Sequence, residues 1–559
     1  MAMVDGGELA GRALANEGIE KAFVLCGGHV MPIFYGMRNA GIEIIDVRHE
    51  CAAVYAAIAY TRTSGKMAVV VTTAGPGVGN TPAGMMEAAS MDIPLLQIGG
   101  AVAQDKRDAG DLQDMETLKL MESCSKWARK LTRAQRIPEY ISMACRQAMS
   151  NTPGPVYLEI PTDLVNAKVD EAKIRFPVAS RARTIPGGDA ALVQEAAQLL
   201  ASAERPAMLV DEGARWTIGD DAASIAELSD YLKMPVGVIG TNCRGLFGNE
   251  SENTLVHTDA TAGADVVLAV GCRFDFRTAS GAGIPGDARI IQVHTDMRQI
   301  GFNLRADVGI VGGAGPVARQ VLETVKSLRN PKAGDSWIGK PRAGNTSSLP
   351  PEYSDTKTPA HPARCAGDTG RFLEQDAPDW TIVNDGGEAS IWMRPAINVT
   401  RPGQVHETGA NGTIGTGPAM VIGAWAANRK PVLWYTGDGS FAFYAMEMET
   451  MARLGIPVVC VISNNSGWGM IGLAERHARP EEYAERGPIN VEFPHMFAYE
   501  KMAEMWGGYG EKVTDPEEIL PAIRRAAASG KPSIVNVEVD DENPSVFIAG
   551  YVNMLKAAH

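Results

Sequence analysis

No apolar run in the sequence reaches the ~18 residues that a membrane-spanning helix needs, so no membrane span is expected. The first residues, Met-Ala-Met-Val-Asp-Gly-Gly-Glu, lack the basic-then-apolar order of a secretory signal. Basic charge is also short. The 52 Lys and Arg stand against 66 Asp and Glu, a net charge of −14, which argues against non-specific nucleic-acid binding. The eight cysteines, at 26, 51, 124, 145, 243, 272, 365 and 460, form no Cys-x-x-Cys. That argues against a disulfide scaffold or a zinc site and fits reduced, buried thiols in a cytoplasmic protein. There is no low-complexity tract and no obvious repeat. What is abundant is glycine: 60 of 559 residues, well above the usual ~7%. Such an excess implies many tight turns and close backbone approaches, as phosphate-binding loops require.

At roughly 150 residues per domain, the length allows three or four domains. Apolar runs alternate with amphipathic stretches, the pattern of α/β units with doubly wound parallel sheets. Three such units are expected, over residues 1–170, 190–328 and 367–559. In the first, Lys21–Leu25, Glu43–Val47, Met67–Thr73, Pro94–Ile98 and Gly154–Pro161 read as strands, and Glu8–Glu17 and Ala52–Thr63 as helices. In the second, Ala207–Val210, Pro235–Ile239, Asp265–Val270 and Ile290–Val293 read as strands. In the third, Thr381–Asn384, Pro431–Thr436, Pro457–Ser463 and Ser533–Val539 do so. The charged and Pro/Gly/Ser-rich stretches 168–188 and 329–366 read as linkers.

The densest constellation lies in the third unit. Gly437-Asp438-Gly439-Ser440 follows one apolar run, and Asn464-Asn465-Ser466-Gly467-Trp468-Gly469 follows the next. Asp438 and Asn465 are 465 − 438 = 27 positions apart, room for one helix and one strand. They can therefore stand at neighbouring strand ends, where doubly wound sheets bind ligands. A carboxylate, an amide oxygen and the Gly467 carbonyl suit Mg²⁺, and the glycines let backbone N–H groups approach a diphosphate. The alternative is two ordinary strand-end turns.

Gly437-Asp438-Gly439 through Asn464-Asn465 resembles the thiamin-diphosphate motif. The resemblance extends over nearly the whole chain, to the family of acetolactate synthases, oxalyl-CoA decarboxylases, 2-hydroxyacyl-CoA lyases and benzaldehyde lyase. It implies a pyrimidine-binding, a middle and a diphosphate-binding domain in that order, thiamin diphosphate and Mg²⁺ as cofactors, and active sites shared between subunits of a homodimer or homotetramer. It implies that Glu50, after Ile44-Ile45-Asp46-Val47-Arg48-His49, faces the aminopyrimidine N1′. A carboxyl in an apolar pocket can share a proton with a ring nitrogen. Thr73 then lies beside the aminopyrimidine, the Gly412 carbonyl accepts from its amino group, and Ile414 is the apolar wedge that bends the cofactor. Gly386, Gly387, Glu388, Ser440, Trp468, Gly469 and Met470 complete the cofactor contacts.

The same resemblance assigns substrate chemistry. His29 carries a proton to or from the substrate oxygen, Gln113 bonds that oxygen, and Glu492 is a candidate acid/base. Arg273 is a candidate for a CoA phosphate. Arg215 and Asp296 are candidates for a nucleotide such as ADP in the middle unit. The apolar tail Ser545–Met554 either packs on the body or closes over the site. Three activities remain open: a lyase that cleaves 2-hydroxyacyl-CoA to formyl-CoA and an aldehyde or ketone, a CoA-free aldehyde lyase or carboligase, and a 2-keto acid synthase or decarboxylase. A non-catalytic protein on the same fold would have no use for an acid at position 50.

Overall fold

The computed structural model describes residues 3–178, 182, 184–250, 254–339, 346, 349–545, 547, 548, 550 and 552. Strand β1 (Met3–Asp5) opens the chain. The first sheet follows with β2 (Lys21–Val24), β3 (Glu43–Asp46), β4 (Ala68–Thr72), β5 (Leu95–Ala101), β6 (Trp127–Lys130) and β7 (Pro155–Pro161). Strand β8 (Lys168–Asp170) pairs antiparallel with β1 and closes the unit. The middle sheet has β9 (Pro206–Val210), β10 (Val236–Val238), β11 (Val266–Val270), β12 (Arg289–His294) and β13 (Val308–Val311). The last has β14 (Thr381–Asn384), β15 (Val405–His406), β16 (Val432–Gly437), β17 (Val458–Asn464), β18 (Tyr509–Val513) and β19 (Ser533–Glu538).

All three sheets are parallel, as their continuous apolar central strands require: Ala68–Thr72 is buried at every position and so is Val266–Val270. The first sheet is ordered β3-β2-β4-β5-β7-β6 and the third β15-β14-β16-β17-β19-β18. Numbered within their units, these are the same winding. The middle sheet, β10-β9-β11-β12-β13, is a shorter form of it. The repeat that the sequence hides is therefore present in three dimensions. Strands β6, β13, β15 and β18, which are not among the strands expected from the sequence, are all edge strands. An edge strand is packed on fewer sides, so it needs a shorter or more mixed sequence.

The first and third units are joined by a pair of helices. Helix Glu50–Ser64 follows β3 and is buried from Glu50 to Arg62. Helix Gly417–Asn428 follows β15 and is buried at nearly every position. Each follows the second strand of its unit, and the two pack on one another. They have no polar face because both sides are covered. A Cβ at Gly423 would lie 1.9 Å from the Ala56 carbonyl oxygen, so the backbones touch there. At the end of the first helix the fully buried Arg62 donates to the Glu407 and Val405 carbonyls, at 2.9 and 3.1 Å. The middle unit is tied in by Asn242, which donates to the Met91 carbonyl at 2.8 Å, and by Arg244, 3.7 Å from the Glu407 carboxylate. No described helix is long and apolar enough to cross a membrane.

The helix contact is testable. Gly423→Ala should destabilise the protein by about 3 kcal/mol, the upper end of ordinary overpacking, seen as an earlier calorimetric transition. Gly286→Ala, whose new Cβ meets nothing within 4 Å, should leave that transition in place.

Candidate active site

The crossovers of the third unit leave in opposite directions between β14 and β16, and a cleft of about 280 Å³ opens there. Gly387 and Glu388 line it after β14, Gly437–Ser440 at the end of β16, and Ser463 and Asn465 at the end of β17. The loop residues Gly412 and Ile414, and Gly467–Ile471, close its sides. Trp468 lies flat against the backbone at Gly439, where a Cβ would come within 2.8 Å of the indole. Gly386 stands just outside, against the Ser440 hydroxyl.

Asp438 is 1% exposed, and its Oδ2 accepts from the Gly467 N–H at 3.0 Å. Burial pushes its carboxyl up to about 6. One atom of the Asn465 amide lies 3.2 Å from both the Gly467 carbonyl and Asp438 Oδ1. With nitrogen in that place it donates to both. With oxygen there, three oxygens converge, which is unfavourable unless a cation sits among them. Among the described residues no three His, Cys, Asp or Glu side chains cluster to hold a metal. This donor set, with one carboxylate, one amide and one carbonyl, instead fits a hard cation that keeps water or phosphate oxygens as further ligands.

The structure adds two residues that organise the cleft. Asp385 is buried at the end of β14. Its Oδ1 accepts from Gly386 and Gly415 N–H at 2.7 and 2.9 Å, and its Oδ2 from Gly417 N–H at 2.9 Å. Burial raises its carboxyl to about 6. Asp385 thereby binds the loop that carries Gly412 and Ile414 to the sheet. From the first unit, the fully buried Glu87 accepts from Gly409 N–H at 2.5 Å and from the Thr413 hydroxyl at 2.9 Å. Both roles depend on partners that are distant in sequence. Only the strand-end position of Asp385 could have suggested one of them.

A second group stands at the corresponding edge of the first sheet. Glu50 is 8% exposed at the start of its helix and accepts from Asn80 at 2.9 Å. A Cβ at Gly77 would lie between Glu50 Oε1 and Thr73, which places those two side by side. The Thr73 hydroxyl is 3.4 Å from His29 Nδ1 and donates to Gln113 Oε1 at 3.3 Å. Gln113 has φ +66°. A non-glycine backbone in that region costs of order 1 kcal/mol and persists only when its surroundings impose it. Gly75, itself at φ +56°, leaves the space, since a Cβ there would fall 2.9 Å from Gln113. Glu50, Thr73, His29 and Gln113 are therefore gathered, but the third-unit cleft is lined by third-unit residues alone.

Other expected residues are committed elsewhere. Glu388 lines the cleft, but its carboxylate accepts from the Ser545 N–H at 2.5 Å and hydroxyl at 2.9 Å. Glu492 is exposed, pairs by its backbone with Gly467, and accepts from the Tyr483 hydroxyl at 2.6 Å. The Arg273 guanidinium holds Asp92 and donates to the Ser90 carbonyl at 3.0 Å. Arg215 lies over the Trp216 ring, and Asp296 is paired with Arg298 at 2.7 Å. At the strand ends of the middle unit stand two buried acids, Asp211 and Glu212, 3.1 and 3.7 Å from Arg277. Burial pushes Glu212 up to about 7.

Two equivalent windings, one with a glycine-lined cleft and an oxygen donor set, the other with a buried Glu at the matching edge, define a diphosphate-cofactor enzyme of the thiamin type. Residues 4–120 match the thiamine pyrophosphate enzyme N-terminal TPP binding domain, 193–321 the central domain and 385–537 the C-terminal TPP binding domain. The chain belongs to the thiamine pyrophosphate (thiamin diphosphate) enzyme family and is a thiamin-diphosphate-dependent enzyme. It is 29% identical over 555 residues to the acetolactate synthase large subunit IlvG of Mycobacterium tuberculosis, covering 97% of this chain and 96% of that one. It is 28% identical over 559 residues to the 2-hydroxyacyl-CoA lyase of Arabidopsis thaliana, covering 96% of each. A probable acetolactate synthase large subunit of Methanocaldococcus jannaschii is 28% identical over 561 residues, covering 96% of this chain and 92% of that one.

The Asp385 assignment can be checked directly. Asp385→Ala leaves three N–H groups, two of them buried, without their acceptor and should cost about 3 kcal/mol in calorimetry. The loosened loop should also raise the thiamin-diphosphate Kd about tenfold in a tryptophan-fluorescence titration, a loss of about 1.4 kcal/mol.

Proposed function

We propose that the protein is a thiamin-diphosphate- and Mg²⁺-dependent carbon–carbon lyase that cleaves, and in reverse forms, the bond beside a 2-hydroxyacyl carbonyl. The observation that carries this reading is the gathering of Thr73, His29 and Gln113 beside Glu50, a cluster of proton-handling and polar groups suited to a carbonyl substrate. When bound, thiamin diphosphate supplies a nucleophilic carbon at thiazolium C2. Asp438, Asn465 and the Gly467 carbonyl would hold Mg²⁺ beside the glycine-lined cleft. Ile414 and the Gly412 carbonyl orient the aminopyrimidine, and Glu50 holds the proton at its N1′. His29, positioned by Thr73, moves a proton at the substrate oxygen, and Gln113 bonds that oxygen.

The acyl carrier divides the reading. The similarity to 2-hydroxyacyl-CoA lyases supports a CoA thioester that yields formyl-CoA and an aldehyde or ketone. The pairing of Arg273 with Asp92 favours a CoA-free aldehyde lyase instead, because the candidate phosphate ligand is already occupied. An acetolactate-synthase-like reaction on 2-keto acids is supported by relatives of equal identity. In this reading the middle unit takes no nucleotide: Asp211 and Glu212, buried acids directly after β9, disfavour a phosphate beside them. The working unit is at least a homodimer. Support comes from the two half-sites, and from apolar side chains left exposed near each: Met31 51%, Met86 48% and Leu112 74% on the first unit, and Phe443 53%, Met446 55% and Ile471 48% on the third.

Product analysis by mass spectrometry tests the chemistry. Holo-protein with formyl-CoA and acetone or a set of aldehydes should give a new 2-hydroxyacyl-CoA. Hydroxyketones formed from aldehydes alone, with formyl-CoA untouched, would establish the CoA-free reading. Glu50→Gln should lower either rate by about 10²–10⁴ while cofactor still binds. Neither product from any carbonyl would reject the lyase. Subunit exchange tests the shared site: mixing inactive Glu50→Gln with inactive Asp438→Ala should restore about a quarter of the activity, because half the dimers are mixed and each keeps one intact site. A site built within one chain would restore none.

A further inference from the structure

The turn that presents Glu50 is short and lies at an open edge. Strand β3 ends at Asp46, and Glu50 begins its helix four residues later. Among the described residues β3 is an edge strand, paired with β2 alone. No further strand of the sheet supports the turn from its outer side. The third unit fills that place with helix Glu447–Leu454. Glu447 is 1% exposed. Its Oε1 accepts from the Arg48 N–H at 2.8 Å and from the His49 N–H at 3.2 Å. Its Oε2 accepts from the Thr450 hydroxyl at 2.8 Å. Further contacts tie the same turn to the same helix. Arg48 pairs with Glu449 at 2.6 Å, and Arg453 with Asp46 at 2.8 Å.

These contacts are unequal. The two ion pairs are partly exposed, and such pairs contribute about 0–1 kcal/mol each. The Glu447 carboxyl is buried, and a buried polar group without hydrogen bonds is costly. It is accommodated only where the N–H groups of Arg48 and His49 stand to meet it. The positive end of the helix that starts at Glu50 favours an anion there as well. His49 also caps that helix, its Nδ1 accepting from the Cys51 N–H at 3.1 Å. The place of His49 thus sets where the helix starts, and Glu447 sets the place of His49. Glu50 is the next residue. The arrangement has a counterpart: Glu87, a buried acid of the first unit, holds Gly409 and Thr413 in the loop that carries Gly412 and Ile414. Each half-site is braced by an acid from the other unit.

We propose that Glu447 is a positioning residue that sets the carboxylate of Glu50 by clamping the backbone of Arg48 and His49. The proposal rests on the reading in which Glu50 holds the proton at the aminopyrimidine N1′. Glu447 is not among the residues that line the cofactor cleft, so its effect reaches the chemistry through the turn.

The test uses the full-length protein. In the cofactor-free form, hydrogen exchange followed by mass spectrometry reads the amides of Arg48 and His49. In the holo form, NMR of acid-quenched samples reads deuterium exchange at the thiazolium C2, and tryptophan fluorescence reads the thiamin-diphosphate Kd. Glu447→Ala should speed exchange of the two amides about tenfold. It should slow C2 exchange about tenfold, since a small displacement of a catalytic group is costly, while the Kd moves less than about twofold. Glu447→Gln, whose amide oxygen can still accept from both N–H groups, should stay within about twofold of the wild type in all three readouts. The double variant with Glu50→Gln should exchange C2 no more slowly than Glu50→Gln alone. Wild-type C2 or amide exchange in Glu447→Ala, an equal loss in Glu447→Gln, or a further loss in the double variant would each overturn the clamp. Should Glu447→Ala fail to fold, Glu447→Asp, which draws the acceptor back by one methylene, should slow C2 exchange in the same direction, and a wild-type rate there would overturn the clamp too. If Glu50→Gln itself exchanges C2 at the wild-type rate, the role of Glu50 falls, and the proposal with it, whatever the amides show.

Discussion

The backbone contact between helices Glu50–Ser64 and Gly417–Asn428 fixes the rest of the structure. Each helix begins at the candidate site: one at Glu50, the other directly after the loop that carries Gly412 and Ile414. Their approach, as close as Gly423 against Ala56 permits, therefore sets where both stand. Around it the first and third units exchange buried polar contacts. Arg62 reaches the carbonyls of Val405 and Glu407, Glu87 holds Gly409 and Thr413, and Glu447 accepts from the Arg48 and His49 N–H groups at 2.8 and 3.2 Å. A buried charge left unpaired would cost several kcal/mol, so these contacts enforce one relative placement of the units.

Much of this was legible in the sequence, for a physical reason. Central parallel strands are buried on both faces, so they must be largely apolar, and each was found within three residues of its bounds. The Gly-Asp-Gly and Asn-Asn turns were legible because the chemistry at a strand end demands particular residue types. The identical winding of the first and third sheets was hidden, since a fold can be kept while every side chain changes. Strands β6, β13, β15 and β18 were hidden at sheet edges, where less packing constrains the sequence, although β3 and β10, also at edges, were legible.

Roles set by distant partners were the least legible. Glu388 and Arg273 were singled out by residue type, yet their partners, Ser545 and Asp92, are fixed only by tertiary structure. Glu87 is the converse case: ordinary in sequence, it holds the loop behind the cleft together with Asp385, whose place after a strand is legible but whose partners Gly415 and Gly417 are not. Local chemistry thus marks which residues can react or bind. Which of them are free to do so depends on the charges that folding brings alongside, as the acids beside Arg277 show in the middle unit.

The direct contact between the outer units also recasts the middle one. It is inserted, in chain order, between two bodies that already grip each other through the helix pair, Arg62 and Glu87. The connecting stretches on either side of it therefore carry little of the load between those bodies. A nick in either stretch would leave fragments still bound by the same buried surfaces. The middle unit is thus free to diverge in size and in ligand without disturbing the geometry of the outer two units, provided that it keeps the few anchors, Asn242, Arg244 and Arg273, by which it rests on them.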